Sequence, residues 1–354
     1  MRGMAAVARA AAASLTLNIP FATLHLSMER NQGRQADNRL ILVTGATGFV
    51  GRRVVQALAA RGKRVRALVH RPWREHPLIA EGVDLHIGDV TDASSLRSAM
   101  EGVEAVVHLV AVIRERGGAT FDVVNHQGTS NVAQAAREAG IQCLVHLSAV
   151  GLVDNPRFPY LRSKWRGEQA VVESGVPYTI LRASIQFGEG DEFINTLAGA
   201  VKAFPIVPVA GDGSAHFQPI SVEEVAECIA QAVDREELRG RVIEIGGPEH
   251  LSYNQILDTI ARTYHIRRIK AHLPLAVMRR MVWLMERTLP SPPATGHQLD
   301  MLAIDNIAEL DTVERTFGFT PRRLEGNIDY IRSISRREAL RIALGFMPKR
   351  VRDH

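Results

Sequence analysis

Short apolar runs alternate with amphipathic stretches along most of the chain. Leu40–Val43 is uninterrupted and apolar, the pattern of a strand buried on both faces. Three spaced glycines follow, and then Phe49–Ala60 with helical spacing as far as Gly62. The alternation predicts further strands at Val65–Val69, Val83–Ile87, Ala105–Val110, Ile141–Leu147 and Pro177–Leu181. Helices are expected over Ala93–Met100, capped by Asp92, and over Phe121–Ala139. Repeated β–α units of this length predict an α/β fold, a doubly wound parallel sheet with helices on both faces. Further on, Pro219–Val225 leads back into the same domain, with Glu223 and Glu224 opening a helix rather than holding a metal. Val242–Ile245 is another strand, and Ser252 caps a helix over Tyr253–Tyr264. The expected division is an N-terminal extension at 1–38, a nucleotide-binding domain at 39–250 with substrate-side excursions at 183–218, a smaller C-terminal region at 251–333, and a basic tail at 334–354.

Composition narrows the class. The 354 residues are 46% hydrophobic and 23% charged, which excludes a disordered chain, a collagen-like fibre and a polytopic membrane protein. Two cysteines, Cys143 and Cys228, leave no disulfide framework and suggest a reducing compartment. The histidines form no H-E-x-x-H or H-x-H cluster, so no metal is expected. The net charge of +5 is uneven: residues 261–290 carry +6 and 331–354 carry +5, leaving −6 for the other 300. A basic C-terminal surface suits plain solvation, an anionic membrane surface or an acidic partner; nucleic acid is the weakest of the possibilities because no motif for it accompanies the charge. Within Leu273–Leu289, the residues Leu275, Met278, Val282, Met285 and Leu289 share one helical face, with Trp283 near and Arg279, Arg280 and Arg287 off the stripe. That face either packs on the core or lies on a membrane or partner.

Ala10–Leu24 carries no charge and follows Arg2 and Arg9. Three readings stand: a start site upstream of the true one at Met28, a targeting or membrane-associating segment, or an ordered helix. Fifteen residues is short for a membrane span.

The chemistry begins at the glycines. Gly45, Gly48 and Gly51 lie between a strand and a helix, the context a dinucleotide fingerprint requires. The backbone must turn sharply beside a pyrophosphate, and the helix N-terminus offers it free N–H groups. Thr47, Phe49 and Val50 complete that cradle, and Asp89, Val90 and Leu109 line the expected cofactor path. Asp89 is placed either to meet the adenine or simply to form a turn; Leu109 and Val110 suit packing. The second strand ends at Val69-His70-Arg71 without the acid that an NAD site uses on the ribose. Arg71 suits a 2′-phosphate, so NADP(H) is expected ahead of NAD(H). Tyr160 and Lys164 are spaced to share one helical face. An ammonium beside a phenol lowers the phenol's pKa from about 10 toward neutrality and equips it for proton exchange.

With TGATGFVG at 44–51, GDVTD at 88–92, VNHQGT at 124–129, HLSAVG at 146–151 and YLRSK at 160–164, the chain resembles the short-chain dehydrogenase/reductase superfamily, in its extended or atypical, epimerase/dehydratase-like branch. Within that branch it is similar to the NADPH-binding accessory subunits of respiratory complex I and their bacterial relatives, through YLRSKWRGE at 160–168, HFQPISVEEVA at 216–226 and the C-terminal third. The resemblance implies a Rossmann-type fold and Tyr160 and Lys164 as catalytic pair, with Lys164 also on the nicotinamide ribose. It implies a substrate side at Ala183, Ser184, Ile185 and Gln186. The family's third catalytic residue, a Ser or Thr, falls where Ala149 and Val150 stand, which leaves Ser148 as catalytic substitute or structural serine. Asn125 is expected to bridge strands rather than act chemically. Two functions follow: an oxidoreductase or epimerase on a small carbonyl or hydroxyl substrate, or a non-catalytic accessory subunit of a membrane-bound respiratory complex. Either would be cytoplasmic, with its basic C-terminal surface resting on the inner membrane or on a membrane-bound complex.

Overall fold

A computed structural model describes residues 39–70, 82–289, 292–302 and 304–352. The N-terminal extension and Arg71 lie outside them. A parallel seven-stranded sheet forms the frame: β1 (Leu40–Thr44), β2 (Arg64–Val69), β3 (Asp84–Ile87), β4 (Ala105–His108), β5 (Cys143–Ala149), β6 (Tyr178–Ala183) and β7 (Arg241–Ile245). Its order is β3-β2-β1-β4-β5-β6-β7. The chain thus reverses direction across the sheet at β1, and a crevice opens beyond the carboxyl ends of β1 and β4. Every residue of β1 is buried, as an all-apolar run requires.

Helices α1 (Phe49–Ala60), α2 (Ala93–Ala99), α3 (Thr129–Glu138), α4 (Pro159–Glu173), α5 (Phe193–Ala203) and α6 (Val222–Asp234) follow in chain order. One sheet face packs Ile41, Val43, Val107 and Val145 against Val54, Leu58 and Ile229 from α1 and α6. The other packs Leu42, Val106 and Leu144 against Leu96, Val132 and Val171 from α2, α3 and α4. Asp92 caps α2 through the Ser94 N–H, and Ser221 with Glu224 forms a capping box on α6. Glu223 and Glu224 therefore open that helix.

Beyond β7 come α7 (Tyr253–Thr263), capped by Ser252, α8 (Leu275–Thr288), α9 (Gly296–Met301), α10 (Thr312–Phe317) and α11 (Arg336–Ala343). A second core joins Ile194 and Val201 of α5 to Ile256 and Ile260 of α7, Ile331, and Ala339 and Ile342 of α11. The basic run is folded into that core over 334–352: Ala339, Ile342 and Val351 are buried in it. Their spacing within a charged sequence gives α11 one apolar stripe and a charged outer face.

Two elements depart from the pattern. The fifth strand starts at Cys143 and runs through Ser148 to Ala149, because Ile141 still closes the preceding turn on the Ala136 carbonyl. The long helix after Phe121 opens with a π-helical stretch, Asp122–Gly128. That wide turn brings Asn125 against the loop after β4: its carboxamide accepts from the Val112 N–H (2.8 Å) and donates to the Val112 carbonyl (3.0 Å) and to Ser163 Oγ (3.1 Å). Asn125 thus joins the loop after β4 to α4, not strand to strand as expected.

Candidate nucleotide site and catalytic pair

The glycine turn lies at the crevice. Gly45 has φ +75°, and a Cβ there would come within 3.2 Å of the Leu109 and Val110 backbone. Only a bare turn fits between β1 and the end of β4. Gly51 is tighter: its Cβ would fall 2.0 Å from the Gly45 carbonyl oxygen, so α1 is pressed onto the turn. Gly48 sits at the N-cap without a side-chain cap, and the first turn of α1 holds no acid. The free N–H groups of that turn therefore meet no competing side chain. Thr47 and Gly48 are exposed, and Phe49 and Val50 are half-buried. This bare, electropositive cradle fits a dinucleotide pyrophosphate.

At the neighbouring strand ends, Asp89 accepts from the Thr91 N–H (2.8 Å) and meets His70 Nδ1 at 2.9 Å. It forms the turn, and its second oxygen reaches the end of β2. Val90 is buried under Gly128, and its carbonyl accepts from Asn131 (3.0 Å).

Tyr160 and Lys164 both project from α4, one turn apart. Tyr160 is half-buried, edge-on to Phe121 (5.8 Å), which in turn meets His297 of α9. Lys164 is buried, and its Nζ donates to the Leu147 carbonyl (2.8 Å). The expected depression of the phenol is not what this arrangement gives. Burial pushes the Tyr160 phenol up to about 12 and brings Lys164 down to about 8. Each is pushed toward its neutral form by burial, which for Lys164 outweighs the opposing pull of the Glu168 carboxylate.

Ser148 lies inside β5 with its hydroxyl donating to Glu168 Oε2 (3.0 Å). Glu168 is a buried carboxylate one turn beyond Lys164, and Arg182 of β6 grips it at 2.5 Å. Arg182 also reaches Glu244 of β7 at 3.4 Å. Next to this row, His108 and His146 stack at 5.2 Å, both fully buried on the same sheet face. His108 bridges Thr44 Oγ1 (2.7 Å) and Thr129 Oγ1 (2.9 Å). A polar seam thus crosses the sheet from Thr44 to Glu244 beneath α4. The sequence did carry a sign of Glu168: the i, i+4 step from Tyr160 to Lys164 continues to it.

The carboxyl ends of β5 and β6 are closed by residues far along the chain. Ser184 Oγ donates to the Asn306 carbonyl (2.8 Å), and the Ile185 N–H donates to Asn306 Oδ1 (3.0 Å). Asn306 Nδ2 donates to the Val150 carbonyl at 3.3 Å. Tyr330 donates its hydroxyl to buried Asp191 at 2.5 Å, beside Gly188. Nothing local in the sequence announces these partners. Among the described residues no group of three or more His, Cys, Asp or Glu side chains could hold a metal.

Sheet order, glycine turn and the Tyr160–Lys164 helix together define an NAD(P)-binding Rossmann protein of the short-chain dehydrogenase/reductase type. Residues 41–246 match the NAD dependent epimerase/dehydratase family, and the chain belongs to that family. It is 26% identical, over 85% of its length and 79% of the relative's, to the mitochondrial NADH dehydrogenase [ubiquinone] 1 alpha subcomplex subunit 9 of Arabidopsis thaliana. It is 29% identical to sterol demethylase protein B of Methylococcus capsulatus, over 79% of this chain and 93% of that one. Among solved structures, the UDP-glucose 4-epimerase of Thermus thermophilus, in complex with NAD, superposes with a TM-score of 0.62 at 21% identity, covering 84% of this chain and 100% of that one. The relatives thus include both enzymes and a respiratory-complex subunit.

Proposed function

We propose that the protein is an NADP(H)-dependent oxidoreductase that reduces a carbonyl to a hydroxyl, with Tyr160 as the acid. The observation that carries this reading is the Tyr160–Lys164 pair, one turn apart on α4 of a nucleotide-binding fold, with the phenol kept protonated by burial. A bound nicotinamide dinucleotide supplies the hydride. Gly45, Thr47, Gly48 and the start of α1 hold its pyrophosphate, and Arg71 the 2′-phosphate. The support for Arg71 is the absence of an acid at the end of β2, where Asp89 is already engaged with His70. Tyr160 gives its proton to the substrate oxygen, and the Lys164 ammonium one turn away stabilises the phenolate left behind. Without a hydroxyl at 149 or 150, that oxygen has one donor fewer, a loss on the order of 10²–10³ in rate.

Two measurements test this. NADPH should bind at least about tenfold more tightly than NADH, and Arg71→Ala should erase the difference. In a metabolite screen that follows oxidation of bound NADPH, Tyr160→Phe should lower turnover by about 10²-fold or more with NADPH affinity unchanged. Undiminished turnover in that variant refutes Tyr160 as the acid.

The second reading is a non-catalytic NADPH-binding accessory subunit of a membrane-bound respiratory complex. Ser148 supports it, since its hydroxyl is turned into the sheet and bonded to Glu168. The Arabidopsis relative supports it too. NADPH that binds tightly and is oxidised by no metabolite is the outcome this reading expects. Under either reading we propose a cytoplasmic protein that rests on an anionic inner-membrane surface through α8. No helix among the described residues is long and apolar enough to cross a membrane.

A further inference from the structure

The second core carries a cavity of about 520 Å³, remote in the chain from the glycine turn, that neither reading above uses. Lys202 from the end of α5, Arg268 from the segment after α7 and Arg336 from the start of α11 line it, with Tyr264 and Leu340 on its walls. No acidic residue lines it. Lys202 Nζ lies 4.5 Å over the Tyr264 ring and donates to the carbonyls of Ile334 and Arg332. Arg268 donates to the carbonyls of Val201 (2.6 Å) and Arg267 (2.9 Å). Arg336 has no carboxylate partner among the described residues. Glu338 is the nearby acid that Lys202 feels, and its carboxylate is already taken by Arg350 (2.8 Å) and the Ser335 N–H (2.8 Å). Three cations therefore border one space that no carboxylate lines, the nearby acid, Glu338, being held by Arg350. Burial and the positive field of Arg336 together draw the Lys202 ammonium below its usual range.

The surroundings of the cavity are apolar. Phe204, Ile206 and Ile269 are chain neighbours of lining residues, and all three side chains are exposed, as is Leu340 on the wall. Ile206 and Ile269 pair across two short parallel strands, Ile206–Ala210 and Ile269–Leu273, so they stand side by side. A cation-lined space with exposed apolar side chains next to its lining residues in the chain fits a ligand with an anion at one end and hydrocarbon at the other.

We propose that this cavity binds the headgroup phosphate of an anionic phospholipid, with Lys202, Arg268 and Arg336 on the phosphate and Phe204, Ile206 and Ile269 against the acyl chains. The proposal is independent of the redox chemistry at Tyr160 and of α8. Monomeric dihexanoyl phosphatidylglycerol, titrated calorimetrically into the full chain, tests it without a bilayer. Saturable binding at one site per chain is expected, weakened about tenfold by Arg336→Glu. Arg341→Glu makes the same charge change on the exposed face of α11, away from the cavity, and should shift affinity less than about twofold. Dihexanoyl phosphatidylcholine and sn-glycerol 3-phosphate should each bind at least about tenfold more weakly, the first for want of net charge and the second for want of chains. Equal losses in the two arginine variants reduce the effect to diffuse charge and overturn the site. Equal binding of the choline lipid overturns the part given to the cations. Glycerol phosphate binding as tightly as the lipid makes this a site for a free phosphate metabolite and overturns the lipid assignment. No saturable binding overturns it altogether.

Discussion

His146 is the most exacting residue in the molecule. Both of its ring nitrogens are buried without a hydrogen-bond partner, and burial holds it well below its usual pKa. Burial likewise brings its stacking partner His108 down to about 3. Between about pH 6.5 and the depressed folded values, the unfolded chain binds two protons that the folded one refuses. Stability must therefore fall as pH drops below about 6.5, by about 1.4 kcal/mol per unit for each histidine. Asp191 opposes them: burial raises its carboxyl to about 6, so the folded state takes up a proton between the ordinary carboxylate range and pH 6. Glu224, raised by burial, acts in the same sense as Asp191; the two histidines are displaced furthest and leave a net loss. Chemical denaturation at pH 7 and pH 5 should show it, and His146→Leu should make the protein more stable at pH 5 and reduce the slope. An unchanged slope in that variant would sink the account. Gly51 makes a second demand at this scale. Gly51→Ala drives a methyl onto the Gly45 carbonyl, so a loss of about 2 kcal/mol or more is expected by denaturation, together with loss of dinucleotide binding by titration.

Helices α4 and α8 show what periodicity reveals and what it hides. On α4 the Tyr160–Lys164 spacing was legible, but not the burial that sets its acidity, because burial depends on Phe121 and on the strand ends beneath. On α8 the stripe Leu275, Met278, Val282, Met285 and Leu289 is the less exposed face, and Val282 is fully buried. The opposite face is mixed: Val277, Met281 and Leu284 are exposed among Arg280 and Arg287, with Trp283 52% exposed beneath the Arg287 guanidinium at 4.1 Å. The pattern had offered core or surface as alternatives for that one face; it is the less exposed side, and the exposed apolar residues lie outside it among arginines. Trp283→Ser with Leu284→Ser should leave thermal stability within about 0.5 kcal/mol and release the protein from vesicles rich in anionic lipid. Retained sedimentation in that double variant would remove α8 from the attachment surface.

At the scale of the molecule, the strands and the glycine turn were readable because each is specified by a few adjacent residues. The second core was not. It draws on α5, α7 and α11, which lie far apart along the chain, and no local period links Gly199 to Ile342. Yet a Cβ at Gly199 would lie 2.5 Å from the Ile342 side chain. The charge of the last stretch disguised this packing as a tail. Removing residues 335–354 should therefore strip α5 of its cover and lower the melting temperature by about 10 °C or more, measured calorimetrically. A truncated chain that melts like the full one would return the segment to the status of an appendage.

Asn306 gives the fold a direction in time. It ties the ends of β5 and β6 together, and Tyr330 fastens Asp191 beside them. During synthesis from the N-terminus, the glycine turn and the first five strands leave the ribosome while both clasps are still unmade. The half of the groove that receives the phosphates can take shape first. The half that would receive a substrate waits for nearly the whole chain, so an arrested nascent protein would recognise nucleotide before it could discriminate anything else.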